Sequence, residues 1–265
     1  MSNVFEQELT VEQWDEEYYP PLAIKLYDKA VARMLRDMGA EPGATVLDAG
    51  CGPGVHSIRA ARAGHRVCAI DISETMLGHA RRRVAAQGLE KTVQFRRMDL
   101  TQLDFPDASF RNVFSWGVVI HIPEAQKALA ELARIVEPGG SLALYLTNKT
   151  ALDHRIESLA RVLLRRPGPT PQQLPLGEGR WYDMHSERIW VWRFDAAAVT
   201  DYLAKRGFRL VKRRIGEFSE IQLKLGGVAR DAMLHLNNLA YDIGVPARFA
   251  TGQLLVFKKT GTPAQ

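Results

Sequence analysis

Three aspartates, each following a short strand-like run, are the residues of this chain best suited to hold a polar ligand. Asp48 ends Thr45-Val46-Leu47, Asp71 ends Arg66-Val67-Cys68-Ala69-Ile70, and Asp99 closes a third run of about residues 92–97 through Met98. Asp71 lies 23 residues beyond Asp48, about the separation at which dinucleotide-binding folds place the acid that takes a ribose hydroxyl. Gly50, Gly52 and Gly54 follow Asp48 directly. Glycines there let the backbone turn tightly and let a ligand approach it closely. A fourth run, about residues 112–115, delivers Ser115 and Trp116 to the same place in the pattern. His121 follows within Trp116-Gly117-Val118-Val119-Ile120-His121. Its ordinary pKa suits a general base near neutrality; the alternative is a structural role capping the helix that follows. His185 and Asp183 are the next candidates for acid–base work.

These residues need a sheet to bring them to one edge. An apolar strand, an acid, a glycine loop and a helix of about residues 55–63 make one strand–loop–helix unit, and open α/β sheets bind ligands at the carboxyl ends of their strands. Further strands are expected at about 141–146, 208–215 and 253–259, and helices at about 22–38, 151–164, 195–205 and 228–243. The chain has 265 residues, 46% of them hydrophobic, enough for one large domain with a solid core. No 18-residue apolar run and no basic-then-apolar leader is visible, so a soluble, cytoplasmic protein is expected. Cys51 and Cys68 have no metal-ligand spacing and read as small buried residues. No metal is expected.

Val46-Leu47-Asp48-Ala49-Gly50-Cys51-Gly52-Pro53-Gly54 resembles the first motif of the class I S-adenosylmethionine-dependent methyltransferases, closest to the group acting on small molecules. Ile70-Asp71-Ile72-Ser73 with Met76, Leu77 and Ala80 is similar to the second motif. Asp99-Leu100, the loop 105–110 and Arg134-Ile135-Val136-Glu137-Pro138-Gly139-Gly140 are similar to the later ones. The likeness is dense over about residues 40–148 and resumes at about 192–259. It implies a doubly wound, seven-stranded, mostly parallel sheet whose last strand is antiparallel, with inserted lid segments. It also implies S-adenosyl-L-methionine as cofactor, held by Asp48, Gly50, Gly52, Asp71, Ile72, Met76, Asp99, Leu100, Ser115 and Trp116, with Asp71 on the ribose and Asp99 on the adenine. In related enzymes an aromatic of the N-terminal arm closes over the methionine end, which points here to Tyr18 or Tyr19. One departure is Arg111-Asn112, where the family usually carries an acid after the Phe110 position; this touches a loop contact. A nicotinamide dehydrogenase is disfavoured, because an acid ahead of the glycines repels a pyrophosphate and suits a sulfonium cation.

Acceptor choice belongs to segments outside the shared core of residues 40–148. These are the arm 1–40, the insertion 149–194, and the helical insertion 216–252 within the C-terminal half 195–265. In the second, Trp181, Tyr182 and Asp183 are candidates for the acceptor pocket. Trp190, Trp192 and Phe194 fall on one face of a strand by period-two alternation, with Trp192 expected in the core. Leucines of the third segment are expected to pack. The expected activity is methylation of a small, partly aromatic or apolar metabolite. Methyl transfer needs alignment and water exclusion, and a base only where the acceptor starts protonated. The alternatives are RNA methylation and an inert module that senses S-adenosylmethionine. The net charge of +5 raises the first. Its basic clusters, however, are mixed with Ala and Glu, and no Asn/Asp-Pro-Pro-aromatic follows the fourth strand, so a nucleic-acid partner is not expected.

Overall fold

The computed structural model describes residues 3–8, 20–163, 165, 170–184 and 187–260. Among them the strands are β1 (Thr45–Ala49), β2 (Arg66–Asp71), β3 (Val93–Arg97), β4 (Phe110–Trp116), β5 (Val136–Thr147), β6 (Gln172–Leu174), β7 (Gly177–Met184), β8 (Glu187–Phe194), β9 (Phe208–Ile215) and β10 (Gly252–Lys259). Seven pair in the order β3-β2-β1-β4-β5-β10-β9. β10 runs antiparallel to both neighbours, and the pairs from β3 to β5 are parallel. The strand order reverses between β1 and β4, the place where such sheets open a crevice at their carboxyl ends.

The helices are α1 (Pro21–Met38), α2 (Val55–Arg62), α3 (Glu74–Ala85), α4 (Ala125–Ile135), α5 (Leu152–Leu163), α6 (Ala196–Ala204) and α7 (Gly227–Ile243). Local chemistry sets their ends. Pro21 opens α1 and Gly39, at φ +67°, closes it in the left-handed region. Ser73 caps α3 by accepting from the Met76 N–H, and Asp195 caps α6 by accepting from Ala197 N–H.

Both faces of the sheet are covered at its middle, so β5 and β10 read as aliphatic runs rather than strict alternation. In β5, Leu142, Leu144 and Leu146 pack on one side with Leu129 and Leu132 of α4. Ala143 and Tyr145 pack on the other with Met34 and Met38 of α1. β5 begins at Val136, five residues before the expected start. Phe110 pairs with Val136, and the register then slips so that Asn112 meets Ser141. Gly140 allows this, since a Cβ there would lie 2.7 Å from the Arg111 carbonyl oxygen. The insertion 149–194 holds the expected helix, α5, but in place of the one expected strand it forms a second antiparallel sheet, β6-β7-β8.

No helix among the described residues is long and apolar enough to cross a membrane.

Candidate active site

A cavity of about 770 Å³ opens at the carboxyl ends of β1, β2, β4 and β5, roofed by the second sheet, α5 and the segment after β9. Its size falls in the range that takes metabolite-sized ligands.

One end is polar. The glycine loop lines it through Gly50 and Gly52. Gly50 sits at φ +86°, and a Cβ there would come within 2.4 Å of the Val118 methyls, so only glycine lets the loop lie against that turn. Asp71, nearly buried, faces the cavity. Its Oδ2 accepts the Gly52 N–H at 2.8 Å and its Oδ1 the Ser73 N–H at 3.0 Å. Burial raises its pKa, against those hydrogen bonds. Asp99 lines the cavity too, with one oxygen accepting from the Thr101 N–H at 2.7 Å and hydroxyl at 2.8 Å. Ile72, Met76 and Leu100 supply apolar wall between them.

Two expected ligand residues turn away from the cavity. Asp48 is buried beneath the loop and accepts the Ser57 hydroxyl at 2.6 Å; burial pushes its pKa up to about 7, with Asp71 adding to the rise. Its carboxyl therefore supports the loop from behind. Ser115 is buried and donates to the Ala49 carbonyl at 2.8 Å, tying β4 to β1.

The other end is aromatic. Trp116 stacks on Tyr145 at 4.4 Å between centroids, with His56 4.7 Å away and Tyr27 edge-on at 6.1 Å. Gly216 and Gly252 make room for Tyr145, since a Cβ on either would lie within 2.3 Å of its ring or hydroxyl. Glu217 closes this floor. Tyr27 donates its hydroxyl to Oε1 at 3.0 Å, and the Glu217 N–H donates to the Tyr145 hydroxyl at 3.1 Å. Burial pushes the Glu217 pKa up to about 8 and holds that of His56 well below the ordinary histidine value.

His121 lines the cavity but does not cap the helix after it. It ends a 3-10 turn, Val119–His121, and α4 starts at Ala125 with Glu124 as an N-cap that makes no side-chain hydrogen bond. Its Nδ1 lies 3.0 Å from the Trp190 carbonyl oxygen, an acceptor only, so Nδ1 carries the proton. Burial lowers its pKa to about 4. The Phe5 ring, from the N-terminal turn Asn3–Glu6, packs 5.8 Å from it. That turn is held by Glu6, which accepts from the Ser73 hydroxyl and the Glu74 and Thr75 N–H groups at the start of α3.

The second sheet divides its work by face. Trp190, Trp192 and Phe194 share one face, as alternation predicts, and that face is buried in the main core. Trp192 donates its indole N–H to the Ile122 carbonyl at 2.7 Å. Ile189, Val191 and Arg193 point the other way and line the cavity, with Trp181 and Tyr182. Asp183 is exposed, 3.7 Å from Arg188, outside the cavity. Of the third insertion's leucines, Leu234 packs, but Leu236 and Leu239 stand in solvent. Tyr18, Tyr19 and His185 lie outside the described residues.

Sequence reasoning missed Phe5, Tyr27, His56, Tyr145 and Glu217. Two of them carried a legible signal. Tyr145 interrupts an aliphatic strand, Leu142-Ala143-Leu144-Tyr145-Leu146, and Ile215-Gly216-Glu217 repeats the pattern of a strand closed by an acid.

Residues 46–140 match the family described as "Methyltransferase domain". A demethylmenaquinone methyltransferase of Clavibacter sepedonicus is 32% identical over 175 residues, covering 65% of this chain and 68% of that protein. A sterol 24-C-methyltransferase of Gibberella zeae is 31% identical over 124 residues, 45% of this chain and 33% of its own length. Several curated relatives are matched over half of their length or less. Among solved structures, the magnesium protoporphyrin IX methyltransferase of Synechocystis PCC 6803 with bound S-adenosylhomocysteine shares the fold. Its TM-score is 0.65 at 21% identity, over 97% of both chains. Sequence likeness across two thirds of a relative, the strand order and the cavity's position agree, and the chain belongs to the class I S-adenosylmethionine-dependent methyltransferases.

Proposed function

We propose that this protein transfers the methyl group of S-adenosylmethionine to a small organic acceptor with an apolar or aromatic body. The observation that supports this most is a single cavity with two ends of different chemistry. One end offers carboxylates and a glycine loop; the other is walled by Trp116, Tyr145 and Tyr27 and opens under the second sheet.

The residues present fit the cofactor. Asp71 keeps a buried carboxylate at the cavity wall for a ribose diol, and Gly50 and Gly52 leave backbone where a side chain would fill the space. Asp99 has an oxygen beyond the one bound by Thr101 for an adenine amino group, with Ile72 and Leu100 as apolar walls for the ring. Bound S-adenosylmethionine supplies an electrophilic methyl group on a sulfonium. The chain's part is to align the acceptor with it and to keep water out. Ile189 and Val191 above and Trp116 below provide dry walls for that purpose.

His121 fits this scheme as a positioning residue. Its proton is committed to the Trp190 carbonyl, and its low pKa makes it a weak base. A small acceptor is also favoured over nucleic acid by the basic residues themselves. Arg81, Arg97, Arg134 and Arg214 each pair with a carboxylate, and the curated relatives named above are called after sterol and menaquinone chemistry.

Calorimetric titration with S-adenosylmethionine, followed by incubation with panels of amines, phenols and carboxylic acids, tests the reading. Cofactor binding and a product heavier by one methyl group are expected. Failure to bind the cofactor overturns the reading, and binding without any product across the panels favours a sensing module.

A further inference from the structure

We propose that the reacting end of the acceptor is an amine, taken up as its ammonium form by Glu217 on the aromatic floor of Tyr27, Trp116 and Tyr145. The inference rests on the methyl-transfer reading and names the acceptor class for the same cavity.

Glu217 is the unusual group of this site. It is 4% exposed, yet it lines the cavity two residues beyond the end of β9. Its side-chain hydrogen bonds come from the hydroxyls of Tyr27 and Tyr145. Among the described residues no Lys, Arg or His forms an ion pair with it. An ionised carboxylate in such a place is costly unless a positive charge joins it. A ligand cation would be that charge.

The walls suit the same cation. Trp116 and Tyr145 are stacked, Tyr27 meets Trp116 edge-on, and all three line the cavity beside Glu217. Aromatic faces attract ammonium groups, most strongly where water is excluded. A hydroxyl acceptor would gain only the hydrogen bond. The other titratable and charged groups around this end also leave room for a cation. His56 is held neutral by burial. Glu220, its pKa pushed up to about 7 by burial, and Asp153 line the same wall, and Asp153 accepts the Ser219 hydroxyl at 2.7 Å. Of the cations lining the cavity, Arg193 is bound to Glu157 at 2.8 Å on α5, and Lys224 lies on the segment beyond Glu220.

The same burial then prepares the amine. A dry site disfavours a separated ammonium–carboxylate pair relative to the neutral pair. One N–H bond breaks as one O–H bond forms on Glu217, leaving a neutral amine with its lone pair free and a neutral carboxyl. Since burial keeps Glu217 protonated in the empty cavity near neutrality, uptake of an ammonium ion must release about one proton to the buffer whichever partner holds the shared one.

The test is binding of 2-phenylethylamine against 2-phenylethanol, two probes of the same shape, in the presence of S-adenosylhomocysteine. Calorimetry at pH 7 in phosphate and in Tris reads affinity and proton release together. The amine is expected to bind about tenfold or more tighter than the alcohol, with release of close to one proton. Glu217→Gln should remove both the preference and the proton release while leaving the affinity for S-adenosylhomocysteine unchanged. Equal binding of the two probes, preference for the alcohol, or an amine preference that survives Glu217→Gln overturns the proposal. Should that variant not fold, as read by circular dichroism, the wild-type preference and proton count decide alone. A wild-type protein that does not bind S-adenosylhomocysteine at all overturns the methyl-transfer reading instead.

Discussion

Asp71 serves two masters, since the carboxylate that faces the cavity also accepts the Gly52 and Ser73 N–H groups. Its replacement should therefore lose ligand hydrogen bonds and loosen the loop that presents them. Each charge-assisted bond is worth about 1.5–3 kcal/mol. Asp71→Ala should weaken S-adenosylmethionine binding by about tenfold or more per bond lost, measured by calorimetry on a folded variant. Unchanged affinity would remove Asp71 from the site. Asp99 is simpler. One oxygen is committed to Thr101, and the amide of Asp99→Asn keeps acceptor oxygen where Asp99→Ala has none. Asparagine should cost less affinity than alanine; equal losses would mean that charge rather than hydrogen bonding matters at this position.

The hairpin β7–β8 roofs the site, and hydrogen bonds to the elements beneath hold it over the sheet. His121 reaches the Trp190 carbonyl, Trp192 donates to the Ile122 carbonyl, and Thr147 donates its hydroxyl to the Trp192 carbonyl. Trp192→Phe keeps most of the packing but leaves a buried carbonyl unpaired, which should cost about 1–3 kcal/mol in urea unfolding. His121→Ala should act on the roof as a unit. Protease cleavage within residues 177–194 should rise and acceptor KM should increase, while affinity for the cofactor stays close to wild type. A collapse of turnover at unchanged acceptor KM would point to chemistry at His121 and against a positioning role.

Buried ionisable groups make the stability of the whole molecule depend on pH from two sides. Asp48, Glu217 and Glu220 have pKa values raised by burial to about 7, 8 and 7. The folded protein thus binds more protons than the unfolded chain between the ordinary carboxylate range and those values. Their contribution is present at low pH and is lost as pH rises toward 8. His121 and His154 have the opposite sign, with pKa values lowered to about 4. Their contribution is present above the ordinary histidine value of 6.5 and is lost as pH falls toward 4. For His121 the full span of that loss is about 3 kcal/mol. Thermal unfolding of the ligand-free protein should therefore show lower stability at pH 8.5 than at pH 6.5. Glu217→Gln should flatten the alkaline side, and His121→Asn should raise stability at pH 5 relative to that at pH 6.5. A wild-type profile flat from pH 6.5 to 8.5 would contradict the assignment of the buried carboxyls.

The glycine loop, the strand-end acids and the alternation of Trp190, Trp192 and Phe194 were legible in the sequence, because each is a local pattern. A tight turn needs glycine, a strand repeats every two residues, and Asp71 and Asp99 follow directly from the ends of their strands. The sheet and the polar half of the cavity follow from such patterns. The aromatic half does not. Tyr27, His56, Trp116, Tyr145 and Glu217 come from α1, α2, β4, β5 and the segment after β9, and they meet only once the sheet order and the packing of α1 are set. Direction is equally a tertiary matter. Asp48 follows its apolar run as Asp71 does, yet it lies one residue inside the end of β1, and Ser57 on α2 draws its carboxyl behind the loop. His121 follows β4 like a helix cap, yet the Trp190 carbonyl of the arriving hairpin accepts a hydrogen bond from its Nδ1–H. Sequence spacing places a side chain on an element, and what faces that element decides what the side chain does.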